Sequence, residues 1–254
     1  MESVSLFFEK FDVRLASSDA DRHEIYRLRH DVFLQELGYE LSGVPEEGEE
    51  RDDYDNDAIY IVVVCRLTQQ IVGSARIVVP WKYLAGKRSC LPVENYCGHV
   101  LASSHINLAE VPREQLCEIS RIVVARHYRK RKDLAGNELQ EAAGLNAVNR
   151  LISVALFVSS AALLETMGRP HVMGFIEKKF ARLLRGTGMK IERVSPFHDI
   201  CGLRAAYYGN THDSLRHVSP LFSQMYALIK ERLDGVEPGD KPAAQGPVRQ
   251  GYQK

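Results

Sequence analysis

The order of apolar and polar residues along the chain predicts alternating strands and helices. Three segments are dense in β-branched residues, as buried strands are: Tyr60–Cys65, Gly73–Val79 and Cys117–Val124. The polar turn Thr68–Ile71 separates the first two segments, which predicts an antiparallel hairpin. Strands that first pair as a hairpin and then alternate with helices indicate an α/β fold with a mixed sheet.

Helical periodicity precedes the first of these strands. Ser18 and Asp21 form a capping-box pattern, after which Ile25, Leu28 and Val32 fall on one helical face. The acidic stretch that follows, residues 42–57, contains Gly and Pro and is predicted to be a long mobile loop.

The C-terminal half repeats the alternation. Three strands are predicted at His171–Ile176, Met189–Val194 and Leu203–Tyr208, and three helices at Glu138–Thr166, Lys178–Leu184 and Pro220–Leu233. The fourteen-residue apolar run Leu151–Leu164 is shorter than the ~20 residues of a bilayer span, so we expect a buried helix and no integral membrane segment. We assign residues 1–234 to one domain and expect the Pro-, Gly- and Gln-rich residues 235–254 to be disordered.

Composition and charge narrow the possible functions. The 254 residues are 45% hydrophobic and 26% charged, which excludes a chain that is disordered over its whole length. The 33 basic residues balance the 33 acidic ones, so we expect no binding of nucleic acid or of an anionic membrane by bulk attraction. The five cysteines include no Cys-x-x-Cys pair, which argues against a disulfide framework and a structural zinc site. The N-terminus has acids where a signal peptide needs bases, so we expect a cytoplasmic protein.

Charged residues inside the predicted strands are the first candidates for chemistry. Glu118 interrupts an apolar strand, where an unpaired carboxylate is costly to bury. Strand alternation puts Glu118 on one face with Ser120 and Val124, and puts Arg121 on the opposite face. A carboxylate in such a place is more often half of a structural ion pair at a strand end than a catalytic group.

Arg76 and an acidic cluster also have structural interpretations that involve no function. Arg76 lies within the second strand, and without a function its side chain would extend to solvent at a sheet edge. The cluster at residues 52–57 is more often a solvated loop than a site. The sequence contains no Ser-His-Asp, HExxH, P-loop or Rossmann glycine motif, and no metal site is predicted.

Five motifs occur in an order that resembles one family. They are Arg29-His-Asp-Val-Phe33, Gly38-Tyr39, Asp52-Asp-Tyr-Asp55, Gly73-Ser-Ala-Arg76 and Glu118-Ile-Ser-Arg121. Together they resemble the autoinducer-synthase-like branch of the GNAT acyltransferases, which includes acyl-homoserine-lactone synthases and N-acyl amino acid synthases. The stretches at residues 25–33 and 91–94 look closest to the bacterial acyltransferases associated with the PEP-CTERM/exosortase system. The resemblance extends over residues 11–208.

The resemblance implies a fold and a set of roles. The fold is a GNAT fold, a mixed, V-splayed sheet with the acyl donor in the cleft between its central strands. Arg29 and Phe33 would belong to a mobile N-terminal helix that closes over the substrates. Glu118, Ser120 and Arg121 would line the reaction centre. The substrate-binding residues that the resemblance implies are Arg29, Phe33, Tyr39, Asp52, Asp55 and Arg76, and Arg76 would pair with the two acids.

Amide formation from a thioester fits these residue types. The amine must be neutral to attack, and Glu118 can act as general base because burial in an apolar strand raises a carboxyl pKa. Backbone N–H groups at a local strand bulge would stabilise the oxyanion. Arg76 or Arg121 would bind an acceptor carboxylate. The apolar helix Leu151–Leu164 is either one wall of an acyl-chain slot or ordinary core.

Three functions stay open at this point. The favoured one is an N-acyl amino acid synthase, because Tyr39 stands where homoserine-lactone synthases tend to carry Trp and the chain is longer than theirs. The second is an acyl-homoserine-lactone synthase. The third is a non-catalytic GNAT-fold module that binds acyl carrier protein or lipid, against which the costly charges within the strands argue.

The segment after the third strand bears on the acyl donor. Many GNAT enzymes hold the pyrophosphate of coenzyme A in a Gly-rich turn, but this stretch is basic instead. Its five cations are Arg126, Arg129, Lys130, Arg131 and Lys132. They are expected to face solvent, either as a simple solvated loop or as a contact for the acidic surface of acyl carrier protein. We therefore expect no bound cofactor, and the acyl-phosphopantetheine of acyl carrier protein rather than acyl-CoA as donor.

Overall fold

An eight-stranded mixed sheet with helices on its faces organises the chain. The computed structural model describes residues 2–40, 48–80, 90–98, 101, 103, 105–129 and 138–233, without the side chains of 138–147. The strands are Phe11–Leu15 (β1), Ile59–Cys65 (β2), Ile71–Val78 (β3), Leu116–Val124 (β4), His171–Glu177 (β5), Ile191–Arg193 (β6), His198–Asp199 (β7) and Leu203–Asn210 (β8). The helices are Glu2–Lys10 (α1), Asp19–Arg29 (α2), Pro92–Cys97 (α3), Glu138–Thr166 (α4), Lys178–Gly186 (α5), Thr211–Leu215 (α6) and Pro220–Leu233 (α7).

The centre of the sheet is open on one side. The strand order is β1-β2-β3-β4-β5-β8-β6, with β7 beside β8. Among the described strands, only β4 and β5 pair in parallel, and their pairing stops at Glu118 and Met173 after three residue pairs. Both strands continue beyond that point, to Val124 and Glu177. The two halves of the sheet therefore separate in a V directly after Glu118, as a GNAT-like sheet was expected to do.

Helix α4 forms the core on one face of the sheet. It packs across β2, β3 and β4, and a Cβ built on Gly73 would lie 2.9 Å from Ile152 Cγ2 and 3.2 Å from the Val123 carbonyl oxygen. Glycine at 73 thus permits the close approach of helix and strand. The segment Val148–Thr166 is long and apolar enough to cross a bilayer, but 67% of its apolar window is buried inside the protein. This confirms the predicted buried helix.

Most predicted elements are confirmed, but the sequence analysis missed α1, β1, α3 and the short β7 and α6. The Ser18 hydroxyl accepts the N–H of Asp21 at 3.1 Å, and the capping box starts α2 as expected. Helix α1 and strand β1 carry no clear period, and aromatic packing between Phe7 and Phe11 holds them together. Helix α3 follows a signal that the sequence does contain, since Pro92 is its first residue and a Glu lies two positions later.

A bulge in β4 changes the expected side-chain directions. Ser120 pairs with Arg76 and Val123 with Ser74, so two residues of β4 stand opposite one residue of β3. Arg121 at the bulge has φ 49°, a left-handed conformation that is uncommon for a side-chain-bearing residue. The predicted alternation is therefore wrong beyond Ser120. Val124 joins the core below α4, and Arg121 turns to the face that carries Glu118.

Candidate functional site

A buried network of six charged side chains lies on the Glu118 face of the sheet. Its cations are Arg29 from α2, Arg76 from β3 and Arg121 from the β4 bulge, and its anions are Glu50, Asp52 and Asp55. Three positive charges thus balance three negative ones. Arg29 and Arg76 are 0% exposed, a burial that charged groups tolerate only when paired.

Asp55 is the centre of this network. Arg29 donates to both of its carboxylate oxygens, from Nη1 at 2.8 Å and Nη2 at 3.1 Å, and Arg76 Nη1 donates to Oδ1 at 2.7 Å. The Tyr60 hydroxyl donates a further short hydrogen bond. Burial raises the pKa of Asp55, but the charges of Arg76 and Arg29 outweigh burial and hold this pKa well below its usual range.

Local capping fixes the two aspartates in place. Asp52 caps the 3-10 turn Asp53–Asn56 by accepting the N–H of Tyr54 at 2.9 Å. Asp55 reaches back to the N–H of Asp52 at 2.7 Å, which completes a capping box. The interpretation of this acidic stretch as a solvated loop is therefore wrong for Glu50, Asp52 and Asp55, whereas Arg51, Asp53 and Asn56 are exposed. Residues 42–47 lie outside the described residues.

Arg76 is enclosed rather than extended to solvent. Its Nη1 donates to Asp52 at 2.6 Å, and its Nε donates to the Ser120 hydroxyl at 3.1 Å. The sheet-edge interpretation of Arg76 is therefore wrong, and its expected pairing with both acids is confirmed. Among the described residues its buried Nη2 finds no partner.

Arg121 joins the same network from the bulge. Its Nε and Nη2 donate to Glu50 and Asp52, both at 3.2 Å, and 15% of its side chain is exposed. The left-handed backbone at Arg121 is what directs the guanidinium to this face. Simple strand alternation had placed it on the other side.

Glu118 lies beside the network without an ion-pair partner in the part of the chain that the structure describes. It is 1% exposed and accepts the backbone N–H of Val93 at 2.7 Å. Burial raises the pKa of Glu118 to about 8, although the Val93 N–H and the charges of Arg76 and Arg121 oppose the rise. The structural ion pair that was the alternative interpretation of Glu118 thus has no partner among the described residues. Such a carboxyl group is suited to exchange protons near neutral pH.

Phe33 and Tyr39 lie on the other side of the V. The segment His30–Glu36 continues α2 as a π-helix, and the Phe33 ring stacks on Tyr39 at 6.1 Å. The Tyr39 hydroxyl donates to Glu177 Oε1, the last residue of β5, at 3.3 Å. The structure thus brings Arg29, Asp52, Asp55, Arg76, Ser120 and Arg121 together around Glu118 and places Phe33 and Tyr39 elsewhere.

The basic segment after β4 is only partly described. Arg126 is exposed, whereas Arg129 forms an ion pair with Glu36 and keeps 33% of its side chain exposed. The expectation that every cation of this segment faces solvent is therefore wrong for Arg129. Lys130, Arg131 and Lys132 lie outside the described residues. A second group of exposed cations, on α5, comprises Lys178, Lys179, Arg182 and Arg185.

An apolar cavity lies on the α4 side of the sheet. It encloses about 770 Å³ of empty space, part of it open to solvent, and Ile119 of β4 lines it next to Glu118 in sequence. Other walls come from α4, β5 and α7, including Phe157, Val172 and Phe222.

Three contributors to the site were missed from the sequence. Glu50 lies in an acidic run with no distinguishing neighbour, and Tyr60 was assigned only as strand core. The Val93 N–H belongs to the unpredicted helix α3, and only the Pro92 signal at its start could have indicated it.

The charged network lies in the part of the chain that is similar to a known domain family. Residues 28–136, which include the whole charged network, match the model of the acetyltransferase (GNAT) domain. The chain thus contains a region similar to acetyltransferase (GNAT) domains, a similarity that supports an acyltransferase. No curated protein matches it.

Solved structures agree with this assignment at the level of fold. TofI in complex with an inhibitor and MTA has a TM-score of 0.56 at 20% identity, over 84% of this chain and 99% of TofI. The CoA-dependent acyl-homoserine lactone synthase BjaI, with SAM and isopentyl-CoA, has a TM-score of 0.56 at 17% identity, over 88% of this chain and 90% of BjaI. FeeM, an N-acyl amino acid synthase from uncultured soil microbes, has a TM-score of 0.53 at 12% identity, over 85% of this chain and 96% of FeeM. The GNAT domain thus has the fold shared by acyl-homoserine-lactone and N-acyl amino acid synthases.

Proposed function

We propose that this acyltransferase moves a fatty acyl group from acyl carrier protein to the α-amine of an amino acid. The observation that carries the proposal is the position of Glu118. It is a buried carboxyl with a pKa of about 8 at the last residue pair before β4 and β5 separate. Directly after it, Ile119 lines the apolar cavity. A proton acceptor thus lies where the sheet opens, and the next residue of β4 lines an apolar space on the opposite face of the strand.

Glu118 is the proposed general base. It takes a proton from the incoming ammonium or from the attacking amine, directly or through a water molecule, so that the nitrogen lone pair can attack the thioester carbonyl. Carbon–sulfur cleavage then releases the thiolate of the carrier arm, which takes up a proton to become the thiol. The charged network beside Glu118 is balanced, so its net field leaves the pKa of Glu118 high enough for this role.

The β4 bulge is the proposed oxyanion site. A bulge leaves backbone groups outside the ladder, and here the bulge at Arg121 lies three residues beyond Glu118. Backbone N–H groups that face the cleft would stabilise the negative charge on the tetrahedral intermediate.

Arg121 is a better candidate than Arg76 for the acceptor carboxylate. Arg76 is 0% exposed and already donates to two aspartates and Ser120. Arg121 is partly exposed, and its two bonds to Glu50 and Asp52 are longer. A carboxylate that enters the cleft can therefore reach Arg121 with less rearrangement.

The donor assignment rests on exposed positive charge. Arg126 beyond β4 and the four exposed cations of α5 follow the two strands that border the cleft. An acidic carrier that docks there would deliver its phosphopantetheine arm into the opening of the V. This assignment also fits the predicted cytoplasmic location, since acyl carrier protein is used there.

Lipid analysis tests the proposal. Extracts of bacteria that express the chain, compared by mass spectrometry with extracts of bacteria that express Glu118→Gln, should contain N-acyl amino acids only for the unaltered chain. Acyl-homoserine lactones in their place would identify a homoserine-lactone synthase. Absence of any acylated amine, in cells where the purified chain is folded, would support a non-catalytic module.

A further inference from the structure

The N-terminal segment of residues 29–40 touches both arms of the V. At its start, Arg29 is held by Asp55 and Glu50 on the β3–β4 side. At its end, the Tyr39 hydroxyl meets Glu177 on β5. No other pair of neighbouring strands in the sheet parts as β4 and β5 do within the described residues. The segment therefore bridges the one opening of the sheet.

Tyr39 sits in a small cluster of its own. Glu177 Oε1 accepts from the Tyr39 hydroxyl and from Arg204 Nη2, both at 3.3 Å, and the Arg204 guanidinium lies 5.3 Å from the centre of the Tyr39 ring. Phe33 stacks on the opposite side at 6.1 Å. Gly38, with φ 64°, makes the left-handed turn that directs Tyr39 toward β5.

This cluster lies away from the reacting carboxyl. Met173 pairs with Glu118, and Glu177 is four residues farther along β5. At about 3.3 Å per residue, the cluster is ~13 Å along the strand from Glu118. It therefore stands at the carboxyl end of β5, at the mouth of the opening, and does not contact the reaction centre.

We infer that Glu177 and Arg204 are positioning residues of the acyl transfer, which act by holding Tyr39 and the segment of residues 29–40 closed over the mouth of the cleft. The inference rests on acyl transfer in this cleft and not on which acceptor is used. A closed mouth keeps water from the thioester, so that the amine and not water takes the acyl group. Burial raises the pKa of Tyr39, and the charge of Arg204 opposes this rise while Glu177 adds to it, so the hydroxyl stays protonated and can donate.

The chain contains a matched control for this cluster. The Tyr226 hydroxyl donates to Glu165, to which Lys230 also donates at 3.1 Å, and the Lys230 ammonium lies 5.8 Å from the Tyr226 ring. This tyrosine–glutamate–cation set joins α4 to α7, away from the V. Tyr39→Phe and Glu177→Gln each remove one part of the proposed closure, and Tyr226→Phe removes the same hydroxyl contact elsewhere.

Two measurements on the full chain test the inference. Without substrates, backbone hydrogen exchange in residues 30–40 should become about threefold faster or more in Tyr39→Phe and Glu177→Gln, but not in Tyr226→Phe. With acyl donor and amine present, the ratio of thioester hydrolysis to amide formation should rise about threefold or more in the first two variants only. The double variant should change the ratio little beyond either single one, because both act on one contact.

Each other outcome overturns the inference. Unchanged exchange shows that the contact does not hold the segment. Faster exchange with an unchanged ratio of hydrolysis to amide formation shows that the contact holds the segment but does not affect acyl transfer. A loss of amide formation that is equal in Tyr226→Phe assigns the effect to general stability. The exchange measurement needs no substrate, so failure of the proposed function leaves it interpretable.

Discussion

Arg29 and Asp55 form a two-point ion pair that is almost completely enclosed in the protein. Nη1 and Nη2 of the arginine lie 2.8 and 3.1 Å from the two carboxylate oxygens, and the side chains are 0% and 3% exposed. A pair of this kind attaches helix α2 to the capped turn before β2. It therefore fixes the start of the N-terminal segment as well as the charges beside Glu118.

We expect Asp55→Asn to be strongly destabilising. The substitution leaves the charges of Arg29 and Arg76 buried with one acid fewer, a situation that costs about 3–5 kcal/mol. Urea unfolding monitored by circular dichroism measures the effect. Asp12→Asn is the matched control, because its pair with Arg66 is 41% and 46% exposed and such pairs contribute about 1 kcal/mol or less. Equal losses in the free energy of unfolding for the two variants would show that the buried network stabilises the fold no more than an exposed ion pair does.

Acyl transfer should increase with pH across the neutral range. Glu118 must lose its proton to act as a base, and its pKa is about 8. The apparent kcat/KM should therefore rise as pH increases and level off above about pH 8. Glu118→Gln should lower kcat/KM by about 100-fold or more and remove this acid limb. An acid limb that persists in Glu118→Gln belongs to another group.

Glu118 should also make the free energy of unfolding of the wild type decrease as pH rises. The folded-state pKa of Glu118, about 8, lies above its ordinary value of 4.5, so the fold prefers the protonated form. The stability from this preference is complete below the ordinary value and is lost as pH rises through about 8. The melting temperature of Glu118→Gln relative to that of the wild type should therefore increase from about pH 5, near the lower end of this window, to about pH 9, beyond its upper end. If the melting temperature of Glu118→Gln minus that of the wild type instead decreases as pH rises, the result would contradict the burial of this carboxyl.

The sequence predicted the strands and long helices because each carries a strong local period. The Ser18 capping box, the hairpin of β2 and β3 and the apolar α4 are examples. What it missed depends on contacts between distant segments. The enclosure of Arg76 requires acids twenty or more positions earlier, and nothing in the local pattern of β3 shows them.

The predicted direction of the Arg121 side chain was wrong for a different reason. Strand alternation holds only while the ladder is regular, and a single left-handed residue at the bulge reverses it. The motif resemblance grouped Arg121 with Glu118, and the two side chains do lie on one face, whereas the period of the strand predicted opposite faces. The resemblance placed Tyr39 with the substrate-binding residues; the structure shows its hydroxyl against Glu177, and its role in substrate binding stays a prediction.

Charge reversal on α5 should weaken use of the carrier. Lys179→Glu with Arg182→Glu removes exposed cations without breaking any ion pair between described residues. The KM for acyl carrier protein should rise about tenfold, with kcat nearly constant and the effect smaller at high salt. Arg126→Glu should act in the same direction. Arg129→Glu also breaks the pair with Glu36, so Glu36→Gln is its control.

The apolar cavity should set the length of the acyl chain. Val172 lines the cavity from β5, and Val172→Phe fills part of the space while remaining apolar. We expect the preferred acyl group to shorten by about two carbons or more, since each buried methylene contributes about 0.8 kcal/mol. Competition among acyl donors of mixed length, read by mass spectrometry, measures the change. An unaltered length profile in the folded variant would assign the cavity to ordinary packing.

Acceptor choice by the purified enzyme tests the central claim most directly. A mixture of the common amino acids, the corresponding amino acid amides and S-adenosylmethionine is supplied with one acyl carrier protein thioester, and the products are quantified by mass spectrometry. We expect acylated amino acids, with amides slower by about 100-fold because the cation that binds the carboxylate is left unpaired. Equal rates for amino acids and their amides, or acylation of S-adenosylmethionine in preference to both, would contradict it.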